Sequence, residues 1–518
     1  MSGPHSGDDL IPAPAAEAPL VGLKAADIPE ACVSDPIILI LLGAFVVLWS
    51  TRSSGYKYKR IPGPKGLPLI GNLLQWPTTR PWLVLDKWHK EYQSDIISVN
   101  LAGLQIVVLG SMKRASDLHE KRSAVYANRP HMTALVEIMN FEDCLFAFHQ
   151  YGPQWRQHRK LFNDHFQAHA IPRYHPSMVR EAHILAQQIL RAPEKILQHL
   201  RHVYPAILMD VTYGIRLAPD DNYFVSLAEE AMSGLSVSTI NGTTYLDIFP
   251  FMKYIPGWVP GAGFKRAAEH ARNVNIAAAI EPWAMAKKML APDSVLAKLL
   301  DTTNNDDVLS RNTASAAYLA GSDTTVSTAH TLVLALAMHP EVQRKAQKEL
   351  DEVVGVNRLP TFEDRNQLPY INAIFKEASR WQTVTPLGNS RRSLVDDVYE
   401  GYFIPKGTIV SINMWSIHHD PENYPNPFAF DPDRFMKDGK LNPDVLDPTS
   451  VAFGLGRRVC PGRFFSNDAL YITFATLLSL FNFAPPLDAD GKPIALKAEM
   501  MTGLISQCTP YKNKGEEE

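Results

Sequence analysis

A short segment rich in glycine and arginine surrounds one of the four cysteines in this chain. Residues 453 to 464 read FGLGRRVCPGRF, so Cys460 has arginines on both sides. Positive charge favours a thiolate over a thiol, and the glycines let the backbone turn around the sulfur and approach a flat ligand. This setting suits a nucleophile or a metal ligand. The alternative is a buried free cysteine, which is the usual environment of that residue.

The residues after Cys460 determine where the sulfur sits. They read RFFSNDALYITFATLLSLF and predict a helix that begins just beyond the cysteine. The first backbone N–H groups of such a helix point back toward the sulfur and stabilise negative charge there.

A second segment places an acid beside an alcohol within a predicted helix. Residues 320 to 325 read AGSDTT, and glycine, serine, aspartate and threonine are poor helix formers in that position. Gly321 lets the helix pass close to a flat ligand, whereas Thr324 can bond back to a carbonyl and open the helical ladder. The alternative is a polar stripe on a buried helix.

Two further segments place side chains at helical spacing. Glu377 and Arg380, in EASR, share one helix face, and FDPDRF adds Arg434 about fifty residues later. Trp155 and Arg159 stand at i and i+4 in YGPQWRQHRK. Either pair alone is common on protein surfaces.

Together these motifs resemble the cytochrome P-450 superfamily. Residues 453 to 462 match its pattern Phe-x-x-Gly-x-Arg-x-Cys-x-Gly at every fixed position. The resemblance implies haem b as cofactor, with Cys460 as the axial thiolate ligand of the iron. Residues 400 to 435 look like the fungal members that tailor secondary metabolites. The haem-contacting residues implied are Trp155, Arg159, Gly321, Arg391, Phe453, Arg458 and Gly462.

The resemblance also assigns the remaining motifs. Asp323 and Thr324 resemble the acid–alcohol pair that delivers protons during oxygen activation. Glu377, Arg380 and Arg434 resemble the buried network that holds the cysteine loop (residues 453–462) in place, which is a structural role.

Three assignments remain open between alternatives. Arg391 is expected to meet a haem propionate, with Arg392 as its rival. Asn389 either touches the substrate or caps a turn. A set of basic residues either docks an acidic reductase or forms a solvated face: Arg156, His158, Arg159, Lys160, Arg457 and Arg463.

The substrate walls are inferred from the resemblance alone. It puts them near residues 131 to 148, 236 to 262, 383 to 389 and 502 to 506. Apolar residues in these stretches indicate a hydrophobic small molecule: Leu135, Ile138, Met139, Phe146, Phe148, Val384, Leu387, Leu504 and Ile505.

Composition and hydropathy limit the partners and the location. A net charge of −3 gives no sign of a nucleic-acid partner, and the scattered cysteines form no disulfide framework or zinc site. Residues 37 to 49, IILILLGAFVVLW, are uncharged, with acidic residues before them and basic residues after. This asymmetry favours one membrane anchor with the catalytic domain in the cytosol, and the resemblance implies the endoplasmic reticulum membrane. A cleaved signal or a buried helix is the alternative.

Helical periodicity dominates the chain, for example in residues 339 to 381, whereas residues 396 to 413 alternate as strands do. We therefore expect a mainly α fold with a minor β portion, the large cytochrome P-450 fold around a buried haem, preceded by one N-terminal membrane helix. The expected divisions are a lumenal tail (1–36), the anchor (37–50), a basic and Pro/Gly-rich hinge (51–79), the monooxygenase domain (80–510) and a charged tail (511–518).

The expected activity is insertion of one oxygen atom from O2 into a small lipophilic metabolite, with a terpenoid as the first candidate. Electrons would come from NADPH through a separate cytochrome reductase, because the chain carries no flavin or nicotinamide fingerprint. The alternatives are a haem-thiolate isomerase or dehydratase, which has less use for a proton relay, and a non-catalytic haem sensor. A cysteine hydrolase lacks convincing histidine and acid partners.

Overall fold

The computed structural model describes residues 58–508 except 239–244, 261, 290 and 489. The predicted anchor, its preceding tail and the charged C-terminal tail lie outside the described residues. No helix in the described part of the chain is both long and apolar enough to cross a membrane.

The described chain is mainly helical, as predicted. Short 3-10 and π-helical turns connect the longer elements. The α-helices are α1 (Pro81–Glu91), α2 (Met112–Ser116), α3 (Phe141–Cys144), α4 (Pro153–Phe166), α5 (His175–Arg191), α6 (Ile196–Tyr213), α7 (Tyr223–Ser238), α8 (Tyr245–Ile248), α9 (Gly263–Met289), α10 (Val295–Thr302), α11 (Asp307–Met338), α12 (Pro340–Val353), α13 (Pro369–Trp381), α14 (Met414–His418), α15 (Thr449–Ala452) and α16 (Arg463–Leu480).

The strands form one small sheet and two hairpins. They are β1 (Ile96–Leu101), β2 (Leu104–Leu109), β3 (Arg391–Arg392), β4 (Asp397–Tyr399), β5 (Tyr402–Ile404), β6 (Ile409–Ile412), β7 (Met436–Lys437) and β8 (Lys440–Leu441). The sheet order is β1-β2-β6-β3, with β2 and β6 parallel and the other neighbours antiparallel. The alternating segment 396 to 413 therefore supplies β4, β5 and β6, as predicted.

The Pro/Gly-rich segment at residues 61–72 packs against the sheet. The N–H of Ser98 donates to Pro62 O at 2.8 Å, and the N–H of Asn72 donates to Asn100 O at 2.6 Å. A Cβ on Gly63 would lie 2.1 Å from Ser98 O, so only glycine permits this close approach. The segment belongs to the compact unit that begins at Tyr58.

Helix α11 is the longest helix of the described chain and is buried along most of its length. It begins where the Asp306 side chain accepts a hydrogen bond from the N–H of Leu309 at 2.9 Å, an N-cap that satisfies a free donor of the first turn. It ends at Met338, with His339 as its C-cap, just before Pro340 starts α12. Helix α6 packs beside it, so α11 presents one side to α6 and another to the cavity described next.

Candidate active site

A cavity of about 320 Å³ lies beside α11. Small residues of α11 form one wall: Ala316, Ala317, Ala320, Gly321, Thr324 and Thr328. The cysteine loop and the start of α16 form another wall, which includes Cys460 and Phe465. This volume falls within the range of about 300–1,000 Å³ that small-molecule and cofactor sites occupy.

The loop before Cys460 is fixed by its own backbone. The N–H of Cys460 donates to Phe453 O at 2.7 Å. Gly456 has a φ of +57°, and a Cβ there would lie 2.2 Å from His119 O. A side chain at this position is therefore excluded both by conformation and by space. Phe453, Cys460 and Gly462 all line the cavity.

The Cys460 sulfur lies at the N-terminus of α16, as the sequence predicts. The backbone N–H groups of Gly462 and Arg463 donate to it, and the guanidiniums of Arg159 and Arg463 lie close by. Burial raises the pKa of the Cys460 thiol, whereas these donors and cations lower it, and burial has the larger effect. A thiolate at this position is thus supported by dipoles and charge but needs a further positive partner.

Arg457 and Arg458 point away from the sulfur, contrary to the sequence-based argument. Arg457 Nη1 donates to the Tyr151 hydroxyl at 2.7 Å. Arg458 donates through Nε to Ala127 O and through Nη2 to His149 O, both at 2.8 Å. The positive charge beside the sulfur is supplied by Arg159 on α4 and by Arg463, the first residue of α16.

Three buried guanidiniums meet at the cavity without a carboxylate. Arg129, Arg391 and Arg458 are only 5%, 3% and 8% exposed. Their hydrogen bonds with the described residues all go to backbone carbonyls, for example from Arg129 Nε to Ala147 O at 2.8 Å. Burial lowers the pKa of each, and repulsion between them lowers it further for Arg391 and Arg458. Buried charges without a counter-ion are costly, so such a cluster is typical of a site that binds an anionic ligand.

Two polar atoms at this cluster have no partner among the described residues. They are Arg458 Nη1 and His119 Nε2, both buried, and both residues line the cavity. The carboxylates of a haem propionate pair would satisfy Arg458 Nη1 and neutralise the guanidiniums. A soft sulfur ligand in the same cavity fits the iron. The donor set therefore fits haem.

Arg391 lines the cavity, but Arg392 does not. Consecutive strand residues face opposite ways, and Arg392 Nη2 lies 3.3 Å from where a Cβ of Gly407 would be. Sequence reasoning missed Arg129 and His119. Their neighbouring residues carry no motif, and only the fold brings them to Arg391.

Trp155 and Arg159 of α4 both line the cavity, but they do different things. The Trp155 ring lies under Arg458, with the guanidinium carbon 4.3 Å from the ring centre. Arg159 Nη1 donates to Val459 O at 2.6 Å. This bond ties α4 to the cysteine loop.

Asp323 and Thr324 face different spaces. Thr324 lines the cavity and its hydroxyl donates to Ala320 O at 2.8 Å. Helix α11 nevertheless continues unbroken through this segment, so the expected opening of the ladder is absent. Asp323 lies outside the main cavity, and its Oδ1 accepts a hydrogen bond from Gln507 Nε2 at 2.6 Å. A Cβ on Gly321 would lie 2.7 Å from Leu208 Cδ1 on α6.

Asp323 lines a separate cleft with Arg201 of α6 and Glu229 of α7, which form an ion pair. Burial raises the pKa of Asp323 to about 6, although Arg201 and Gln507 oppose this effect.

Glu377, Arg380 and Arg434 form a buried ion network. Glu377 and Arg380 are fully buried and joined by two bonds of 2.7 and 2.8 Å, and Arg434 Nε reaches Glu377 Oε1 at 3.2 Å. The remaining Arg380 donors go to carbonyls of His418, Pro427 and Ala429. The network thus ties α13 to residues 418–434. His418 Nε2 in turn contacts Pro448 O just before α15, the helix that leads into the cysteine loop.

The expected substrate walls are partly present. Phe146, Val384 and Leu387 line the cavity, as does Asn389. Leu135, Ile138, Met139, Phe148, Leu504 and Ile505 are not lining residues. The sequence reading missed the contribution of Leu208 and of the alanines on α11.

The expected basic face is smaller than the sequence suggests. Arg156, Lys160 and Arg457 are exposed and Arg463 is half-buried. His158 is buried, with its Nδ1 3.0 Å from the Thr313 hydroxyl, so it does not belong to this face. Arg156 and Arg457 both lie over the ring of Tyr151.

Comparison with known proteins identifies the family of this arrangement. A sequence model described as Cytochrome P450 matches residues 61–512. The chain is 40% identical over 496 residues to cytochrome P450 monooxygenase COX1 of Coprinopsis cinerea, covering 92% of this chain and 96% of that protein. It is 42% identical over 471 residues to COX2 of the same fungus, covering 89% of each chain. It is 38% identical to the tryptamine 4-monooxygenase of Psilocybe cyanescens, covering 87% and 91%.

Proposed function

The chain belongs to the cytochrome P450 family and is a haem-thiolate monooxygenase, and we propose that Cys460 ligates its iron and that its substrate is an uncharged lipophilic metabolite. The observation that carries this proposal is one cavity that holds both Cys460 and the unpaired Arg458 Nη1. A thiolate ligand and an anion-binding cluster are the two contacts that a haem needs.

Haem, when bound, supplies the activation of O2, with electrons from NADPH delivered by a separate reductase. The chain's own residues bind and orient it. Cys460 donates its sulfur, and the N–H groups of Gly462 and Arg463 stabilise the negative charge there. Arg129, Arg391 and Arg458 bind the propionates, and the Trp155 ring packs against the Arg458 guanidinium.

Asp323 and Thr324 carry protons across α11. The cleft beside Asp323 holds about 20 Å³, which is room for about one water molecule. The Asp323 carboxyl takes a proton from this side, and the Thr324 oxygen, whose own proton is donated to Ala320 O, offers an acceptor to the cavity. The pKa of about 6 at Asp323 supports this role, because a group that exchanges protons near working pH is the most effective general acid.

The reductase docks on the cationic face formed by Arg156, Lys160, Arg457 and Arg463. This face lies close to Cys460, since Arg463 donates through Nη1 to Cys460 O at 2.9 Å. Charge complementarity accelerates such an encounter and makes it sensitive to salt. Residues 37–50 anchor the enzyme in the endoplasmic reticulum membrane with the catalytic domain in the cytosol.

The cavity favours an uncharged substrate. None of the lining residues within the described chain is Asp or Glu, so a protonated amine finds no counter-ion there. Apolar groups make up most of the cavity surface, although polar residues such as Thr328, Thr383 and Asn389 also line it. A terpenoid or similar lipophile is therefore placed ahead of an amine such as tryptamine, although one relative is a tryptamine 4-monooxygenase.

Spectral titration and turnover of the reconstituted enzyme test this proposal. The holoenzyme, with reductase and NADPH, is offered terpenoid hydrocarbons and tryptamine in parallel. We expect a low-spin to high-spin shift and a hydroxylated product with at least one terpenoid, and neither with tryptamine. Turnover of tryptamine alone would overturn the substrate class, and conversion without NADPH would favour an isomerase.

A further inference from the structure

The contact between Gln507 and Asp323 joins the proposed proton donor to the C-terminal end of the described chain. Gln507 belongs to residues 500–508, which we call the C-terminal strap. Within the described chain, Gln507 is the residue that hydrogen-bonds the Asp323 carboxylate, with Nε2 2.6 Å from Oδ1. Both side chains are half-buried, so the bond is shielded in part from water.

The strap is attached to α11 at two points beyond Asp323. The Ser327 hydroxyl donates to Ser506 O at 2.7 Å, and Thr331 Oγ1 lies 3.3 Å from Cys508 Sγ. Ser327 and Thr331 stand four and eight positions after Asp323, so the strap follows one face of the helix. These contacts fix the position of the Gln507 amide along the axis of α11, beside Asp323.

The strap is also attached to the cavity wall. The N–H of Ser506 donates to Val384 O at 2.7 Å, and Val384 lines the cavity. A second bond, from the N–H of Met501 to Gln507 O at 2.8 Å, closes the strap on itself. The Gln507 amide is therefore positioned by α11, by the cavity wall and by its own turn.

We propose that Gln507 is a positioning residue that holds the Asp323 carboxylate on the cleft side of α11 and stabilises its ionised form. A carboxamide N–H donates to a carboxylate but releases no proton at neutral pH. Gln507 can thus orient the acid without competing for its proton. This inference rests on the proposed proton-delivery role of Asp323.

The charged groups around Asp323 cannot replace this contact with the uncharged Gln507 amide. Arg201 of α6 lowers the pKa of Asp323, but it is already paired with Glu229 of α7. His330, further along α11, is kept neutral because burial lowers its pKa to about 4. Of these groups, only the Gln507 amide bonds directly to the carboxylate.

The test measures the titration of Asp323 in the holoenzyme by infrared difference spectroscopy, with the band assigned by its loss in Asp323→Asn. The wild type should titrate near pH 6. Gln507→Leu should raise the midpoint by about one pH unit, because a donor to the charged form is lost. Gln507→Glu should raise it further, since two adjacent carboxyl groups then share a proton.

Thr502→Val is the matched control on the same strap, because Thr502 Oγ1 accepts from the N–H of Arg80 at 3.0 Å and does not reach Asp323. It should titrate like the wild type. A second readout is the amount of product formed per NADPH consumed, measured as a function of pH. The pH at which this yield changes on the acidic side should shift in the same order, while the substrate dissociation constant stays unchanged.

Coincident titrations of wild type, Gln507→Leu and Gln507→Glu would overturn the inference. A role in packing the strap would instead affect Thr502→Val and Gln507→Leu alike, with no ordering by charge. Failure of the proposed role of Asp323 is distinct, because Asp323→Asn would then couple NADPH use to product as the wild type does, whatever the titrations of the Gln507 variants show.

Discussion

The guanidinium of Arg458 lies over the ring of Trp155 at 4.3 Å, and one of its nitrogens, Nη1, is buried without a partner among the described residues. The stacking orients the cation, but it does not satisfy that nitrogen. In the chain without haem, the group is therefore an uncompensated buried charge, and a bound propionate would satisfy it.

Arg458→Leu should weaken haem binding and leave the haem-free protein as stable or more stable. Loss of one partner of a buried charge pair costs about 2–5 kcal/mol of binding free energy, or about 30-fold to several thousand-fold in affinity. Removal of an unpaired buried charge is neutral or favourable to folding. Haem transfer to apomyoglobin and denaturant unfolding of the apoprotein measure the two effects.

Arg457→Leu is the matched control, because Arg457 is exposed and bonds to the Tyr151 hydroxyl. It should retain haem like the wild type. Equal haem loss from both variants would show that Arg458 acts through general charge and not through the propionates.

Thr324→Ala should keep haem and substrate binding but uncouple NADPH oxidation from product formation. The Thr324 hydroxyl is a polar group of α11 that faces the cavity, and loss of a side chain positioned for proton transfer typically costs about 10²–10⁴-fold in that step. Peroxide release and product yield per NADPH measure coupling. Thr324→Ser, which keeps a hydroxyl, should restore most of it; full coupling in the alanine variant would remove Thr324 from the relay.

Asp323→Asn should stabilise the protein at pH 7 to 8 while it slows proton delivery. Burial raises the pKa of Asp323 to about 6, above the ordinary value of about 3.9. The folded state therefore disfavours the ionised form, and stability falls as pH rises from about 4 through 6. The substitution should gain about 1–3 kcal/mol of unfolding free energy at pH 7.

This gain should disappear by about pH 4, where Asp323 is protonated in both folded and unfolded chains. Unfolding at matched haem occupancy, followed from pH 4 to 8, measures it. A gain independent of pH would point to a packing effect and not to the carboxylate.

Glu377→Gln should destabilise the fold by about 3–5 kcal/mol, because it leaves Arg380 as a buried charge without its carboxylate. Equilibrium or kinetic unfolding measures this loss. Glu341→Gln is the control: Glu341 is 62% exposed and pairs with His339, and a surface ion pair contributes about 0–1 kcal/mol. Similar losses in both variants would contradict the structural role of the network.

Sequence reasoning succeeded where a motif is local. The loop around Cys460 and the helix after it are read directly from glycine spacing and helical periodicity, and α16 indeed begins at Arg463. Glu377 and Arg380 are three positions apart on α13, so a shared face follows from helix geometry alone.

Sequence reasoning failed where orientation depends on packing. Asp323 and Thr324 are adjacent and about 100° apart around α11, but which of them faces the cavity is decided by α6 and the strap. Arg391 Nη1 reaches His119 O across 272 positions, and no local pattern predicts that meeting. For the same reason, the sequence did not predict the positions of Arg129 and Gln507 at the site.

The central claim, that Cys460 holds the haem iron as a thiolate, is tested most directly by the carbon monoxide difference spectrum of the dithionite-reduced protein in membranes. Wild type and Cys508→Ala, a cysteine control at the strap, should both show the red-shifted Soret band of a thiolate-ligated haem. Cys460→Ala should lose it. Retention of that band in Cys460→Ala, or its absence from haem-replete wild type, would contradict the assignment.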